Sequence, residues 1–140
     1  MIKAVLDTNV VISGLLWNGT PRKILRAADE ERFFLFTSAE LLEELAYVLH
    51  RPKFKTFLDR RGSDFKDVLA QVVRFARIVV PKPFPEVIIV QDPSDDMVLT
   101  CAVTAGADVI VSGDEHLIEL KEFRKIPIIT PSAFLLQLGK

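Results

Sequence analysis

The chain holds one cysteine, Cys101, so an internal disulfide is excluded, and its Ala/Val/Leu surroundings mark a buried, inert thiol. Only two histidines are present, His50 and His116, in no ligand-spaced pair. That removes the usual zinc motifs and leaves no Ser-His-Asp arrangement. The six glycines form no phosphate-binding loop. No apolar stretch is long enough to span a bilayer, and the opening run Ile2–Leu6 is too short for a signal peptide. A reducing, cytoplasmic setting with no membrane partner is the expectation. The net charge of -1 carries no global signature of nucleic-acid binding. A local basic surface remains compatible with it, because a bound metal changes the field around a site.

What is there suits one compact domain, residues 1–140, with 49% hydrophobic and 26% charged residues. Ile2–Leu6 is a continuous apolar run, as expected of a strand buried on both faces of a parallel sheet. Further strands are expected at Phe33–Phe36, Ile78–Val80, Asp108–Val111 and Ile126–Thr130. Val87–Val90, between Pro85 and Pro93, reads as an edge strand or extended loop. Helices are expected over Val10–Leu16, capped by Thr8 or Asn9, and from a Thr20 cap through Pro21 to Glu31. The next runs from Thr37 or Ser38 to His50, followed by helical residues 53–77 broken at Arg61-Gly62-Ser63, with Ser63 as a cap. Ser94 caps Asp95–Ala105, and Glu115–Leu120 and Ser132–Leu138 close the chain. Alternating strands and helices imply an α/β fold: a mostly parallel central sheet of about four to five strands flanked by helices. Ligands collect beyond the carboxyl ends of such strands.

Four acids stand just past apolar runs or at the rim of one: Asp7, Glu44, Asp96 and Asp114. Converging carboxylates repel one another and are costly to bury without compensation. A hard divalent cation with oxygen ligands compensates best, so the pattern points to Mg²⁺ or Mn²⁺, one or two ions. Each acid also has a plainer role. Asp7 can cap the next helix, although Thr8 and Asn9 look better placed for it. Glu44 falls at the edge of the Leu41, Leu45, Val48 stripe and can reach water, whereas Glu43 lies on the solvated face. Asp92, Asp95 and Asp96 suit a helix N-terminus, and helical spacing does not choose between Asp95 and Asp96. Asp114 follows Ser112-Gly113 and can serve a turn.

Taken in order, Val5-Leu6-Asp7-Thr8-Asn9-Val10, Thr37-Ser38 with Leu42-Glu43-Glu44-Leu45, Asp92-Pro93-Ser94-Asp95-Asp96 with Leu99 and Ala102, and Ala107-Asp108 through Val111-Ser112-Gly113-Asp114 with Leu117 resemble the PIN-domain family of metal-dependent nucleases. The resemblance covers almost the full chain. Val48-Leu49-His50-Arg51-Pro52-Lys53-Phe54 looks like the subgroup regarded as toxin components of toxin–antitoxin systems, relatives of VapC-type toxins. The resemblance implies a catalytic, metal-holding set of Asp7, Glu44, Asp96 and Asp114, with Asp96 preferred to Asp95 by its distance to Leu99, Cys101 and Ala102. It implies accessory polar groups at Asn9, Ser38, Asp95 and Ser112, single-stranded RNA as substrate, an antitoxin partner and a homodimer. Phosphate contacts are expected from Arg22, Lys23, Arg51 and Lys53, the last two within the basic run Arg51, Lys53, Lys55, Arg60 and Arg61. A solvated basic face is the plainer account of those residues. Two other functions compete: a catalytically silent nucleic-acid-binding module of the same fold, and an Asp-nucleophile phosphatase. For the latter, Asp7-Thr8-Asn9 lacks the second Asp two residues later.

Overall fold

A computed structural model describes residues 1–82 and 93–139. The elements run β1 (Lys3–Leu6), α1 (Thr8–Leu16), α2 (Thr20–Asp29), β2 (Phe34–Ser38), α3 (Ala39–Leu49), α4 (Pro52–Arg60), α5 (Phe65–Phe75) and β3 (Ala76–Val79). After them come α6 (Pro93–Ala105), β4 (Val109–Val111), α7 (Glu115–Leu120), β5 (Glu122–Phe123), β6 (Ile126–Ile129) and α8 (Pro131–Leu138). The sheet order is β3-β2-β1-β4-β6-β5. All pairings are parallel except the short β5–β6 hairpin.

The period-2 alternation of strands sorts side chains onto two cores. Ala4 and Leu6 of β1, with Val109 and Val111 of β4, face a core built with α1, α2 and Phe134 of α8. Val5 and Ile110 face the other way, against Val98, Leu99, Cys101 and Ala102 of α6. β1 is covered on both faces, which is why its sequence is unbroken apolar. Cys101 is buried as expected, and burial first, then Glu40, pushes its thiol up to about 12.

On one side of β1 the chain continues to β2 and β3, and on the other it returns as β4. The carboxyl ends of β1 and β4 therefore flank the point where strand order reverses, where open α/β sheets place their crevice. The N–H of Asp7 donates to the Val111 carbonyl at 3.0 Å and locks these two ends together.

α1 and α2 pack so closely at Gly14 that a Cβ there would stand 2.6 Å from Leu25 Cδ1 and 2.8 Å from the Pro21 carbonyl oxygen. That approach sets the spacing of α1 and α2.

Several expected boundaries move. Asp7, not Thr8 or Asn9, caps α1, its side chain accepting from the Asn9 N–H. Thr20 is the first residue of α2, the cap position falls on Gly19 at φ 131°, and the helix ends at Asp29. Asp64 rather than Ser63 caps α5, in a reciprocal capping box with Asp67. β3 starts at Ala76, two residues before the expected Ile78. The sheet has six strands, the additional one being two-residue β5, entered from the α7 cap Lys121 and left through Arg124 and Lys125, all at positive φ without a glycine or asparagine to signal it. The Val87–Val90 strand, Asp92 and the side chain of Ser94 lie outside the described residues. Among the described residues, no helix is long and apolar enough to cross a membrane.

Candidate functional site

The floor of the site is a short chain of hydrogen bonds between the two strand ends. Asp7 is buried, and its carboxylate accepts from the Asn9 N–H at 2.9 Å through Oδ1 and from the Ser112 hydroxyl at 2.6 Å through Oδ2. Ser112, fully buried, accepts in turn from the Asp114 N–H at 2.9 Å. Asp114 caps α7 by accepting from the His116 N–H. Capping consumes one oxygen of Asp7, and the serine holds the other in place.

Burial raises the Asp7 pKa above the ordinary 3.8. The Ser112 and Asn9 hydrogen bonds oppose that rise, while the negative charges of Asp114 and Glu44 add to it. The fold therefore places Asp7 where its anion is held at a cost and where two neighbours raise that cost.

α3 forms the opposite wall. Tyr47 and Val48 stand three and four residues from Glu44 on one stripe of it, and Arg51 joins them from the extended link between α3 and α4. The Thr8 hydroxyl donates to Glu44 Oε2 at 3.1 Å, tying the start of α1 to α3. Asp95 and Met97 come from the start of α6. Together Asp7, Thr8, Asn9, Glu44, Tyr47, Val48, Arg51, Asp95, Met97 and Asp114 line a cavity of about 390 Å³.

Of the acids singled out from the sequence, Asp7, Glu44 and Asp114 face this cavity, joined by Asp95. Asp96 does not line it; its Oδ1 is buried without any hydrogen-bond partner. Asn9 lines the cavity, while Ser112 lies beneath it as the Asp7–Asp114 bridge. Ser38 sits elsewhere: it caps α3 through the Leu41 N–H and borders a smaller cavity with Glu40, Lys82 and Thr100. Arg51 is at the site, whereas Arg22 is held by Asn18 on α2, Lys23 is exposed beside it, and Lys53 lies over the Phe54 ring. His50 and His116 are both exposed. Tyr47 and Thr8 were missed by the sequence reading. The three-residue step from Glu44 to Tyr47 was the available signal for the first.

The donor chemistry fits a hard cation. All the titratable ligand candidates on the cavity are carboxylates, and the partnerless Asp96 oxygen is an acceptor that only a cation or a donor would satisfy. As they stand, no three His, Cys, Asp or Glu side chains among the described residues are close enough to enclose an ion. Glu44 and Asp114 are half-buried at the rim, so inward side-chain movement is what closure around an ion requires.

Comparison with known proteins gives three findings. The family model described as PIN domain matches residues 3–116, a span that includes Asp7 through Asp114. An uncharacterized protein of Methanocaldococcus jannaschii, MJ1680, is 30% identical over 99% of this chain and 93% of its own length. The crystal structure of VapBC2 from Rickettsia felis, bound to a DNA fragment from their promoter, contains a chain of similar fold. The TM-score is 0.60 at 14% identity, over 92% of this chain and 98% of that one.

Proposed function

The chain belongs to the PIN-domain family, and on that premise we propose that it is a Mg²⁺- or Mn²⁺-dependent endoribonuclease that hydrolyses phosphodiester bonds of single-stranded RNA. The observation that carries this reading is the shared cavity: Asp7, Glu44, Asp95 and Asp114 arrive from four separate segments at the reversal point of the sheet. Asp7, Glu44 and Asp114 would hold the cation, with Asp96 as the fourth ligand through its partnerless oxygen and Asp95 as an accessory on the wall. A divalent ion there supplies an acidified water and charge stabilisation for the phosphate.

The residues supply the rest. Ser112 fixes the direction of the Asp7 carboxylate and the Asp114 backbone at once. Thr8 orients Glu44. Arg51 brings a cation to the mouth of an acidic cavity, where a phosphodiester would otherwise be repelled.

The test is cleavage of a single-stranded RNA with Mg²⁺ or Mn²⁺. Activity should disappear with EDTA and in Asp7→Asn and Asp114→Asn. Equal cleavage by those variants and the wild type, from preparations free of contaminating nuclease, would sink the assignment. The separation of the acids as they stand favours one alternative, a silent module that binds nucleic acid. Tight, EDTA-insensitive RNA binding with no cleavage would select it.

The fold likeness to a VapBC2 component supports a narrower reading, a toxin restrained by a small antitoxin protein, to which we add a cytoplasmic homodimer as part of the proposal. Co-purification with the product of an adjacent small reading frame, and loss of RNA cleavage in that complex, would support it.

A further inference from the structure

We propose that Tyr47 and Arg51 form a nucleotide subsite on the cavity wall. In it the Tyr47 ring stacks on a base beside the cleaved bond and Arg51 holds that nucleotide's phosphate. The proposal rests on the nuclease reading above and specifies how that site would grip its substrate.

Tyr47 is 72% exposed although it lines the carboxylate cavity. Other strongly exposed apolar side chains, Val80 and Leu136, do not border that cavity. Among the described residues, Tyr47 is not half of an aromatic pair. Trp17 leans on Phe54 and Phe57 at 5.9 and 5.6 Å, Lys53 covers Phe54 at 5.2 Å, and Arg61 covers Phe57 at 4.5 Å. Those rings have their faces engaged; among the described residues no ring stacks on Tyr47. An open aromatic face one helical turn from Glu44 suits a base, because stacking on aromatic rings is favourable for every base and requires it to be unpaired.

Arg51 lies just past the end of α3, as the extended N-cap residue of α4, and lines the same cavity. It shares the cavity with four carboxylates, yet no carboxylate of the described residues lies within ion-pair distance of it. A guanidinium left unpaired beside acids is available to a phosphate, which it can bind through two parallel hydrogen bonds. Beyond Arg51, α4 continues the positive surface with exposed Lys53, Lys55, Arg60 and Arg61, interrupted only by Asp59. This charge pattern selects a polyanion rather than an apolar peptide, and the open ring selects a single strand rather than a duplex.

The experiment measures KM and kcat on a short single-stranded RNA with Mn²⁺, for wild type, Tyr47→Ala, Tyr47→Phe and Arg51→Ala. Tyr47→Ala should raise KM roughly 5- to 150-fold, the range for loss of one stacked base, with a smaller change in kcat. Tyr47→Phe, which keeps the ring, should recover most of that loss. An abasic residue scanned along the RNA should, at one position, weaken wild type by the same factor and add nothing to Tyr47→Ala. Arg51→Ala should lower the slope of log affinity against log salt by about 0.7. Thermal melts identify misfolded variants, and high exposure makes misfolding unexpected for Tyr47. If wild type cleaves RNA but Tyr47→Ala keeps its KM, or loses only kcat, the subsite is overturned and the nuclease assignment stands. If wild type cleaves no RNA with either metal, the assignment falls and the subsite falls with it.

Discussion

Replacing Ser112 with alanine should weaken the metal-free protein in a way that depends on pH. The hydroxyl performs two tasks: it donates to Asp7 Oδ2 at 2.6 Å and accepts from the Asp114 N–H at 2.9 Å. The first bond is short and made to a buried anion, a class that contributes about 1.5–3 kcal/mol. The second leaves an N–H on a half-buried residue that water can partly reach, so its loss adds about 0.5–1 kcal/mol. Together these give a destabilisation of about 2–4 kcal/mol at pH 8. For a domain of this size, that corresponds to roughly 6–16 °C in Tm. Protonating Asp7 makes the first bond neutral, and the penalty should then shrink toward about 1 kcal/mol. Urea denaturation in EDTA, repeated from pH 8 downward, measures both effects. Coupling to Asp7→Asn in a double-mutant cycle should amount to about 1–2 kcal/mol. A penalty under about 0.5 kcal/mol at pH 8, or one identical at every pH, would show that the serine does not support the Asp7 anion.

The raised pKa of Asp7 also sets the pH dependence of the metal-free fold. The native state holds this proton more tightly than the unfolded chain, so stability should fall as pH rises from about the ordinary 3.8 through the folded value, then level off. Asp7→Asn should remove that fall, leaving the metal-free variant as stable as wild type or more so at pH 8, while RNA cleavage drops at least about 100-fold; chemical melts beside a cleavage assay test the pair. Mn²⁺ affinity should move oppositely and weaken as pH drops, because proton and ion compete for one carboxylate; calorimetric titrations at several pH values would show a flat profile if they do not. In the same titrations Asp96→Asn should cost more affinity than Asp95→Asn, and the reverse order would move the fourth ligand to Asp95. Gly14→Ala should destabilise by about 1–3 kcal/mol without altering Mn²⁺ affinity, because its Cβ would press on the Pro21 carbonyl, which moves only if α2 moves.

The parallel α/β layout was legible because strands covered on both faces announce themselves as unbroken apolar runs, as at Val109–Val111. Helix starts were less legible where several capping residues stand in a row. At Asp7-Thr8-Asn9 local preference does not choose; the tie between β1 and the Val111 carbonyl does, since it sets where the extended backbone ends. β5 left no trace because a two-residue strand has no period and its turn uses charged residues at positive φ. At the site, the grouping of Asp7, Glu44 and Asp114 could be guessed because strand ends meet at a known place in such sheets. The placing of Asp95 on the cavity and Asp96 off it could not, since one residue is about 100° of helix and the entry angle of α6 is a tertiary property. The three-residue step from Glu44 puts Tyr47 on the same helix face, but that this face stays open to solvent is a tertiary property.

The Asp7–Ser112 contact spans 105 residues of chain. A ribosome releases the acid 105 residues before the hydroxyl that steadies it. Until β4 slots in beside β1, the emerging polypeptide carries scattered carboxylates without the frame that aims them. Fragments ending before residue 112 should therefore lack an aligned acidic cavity however well α1 to α3 fold.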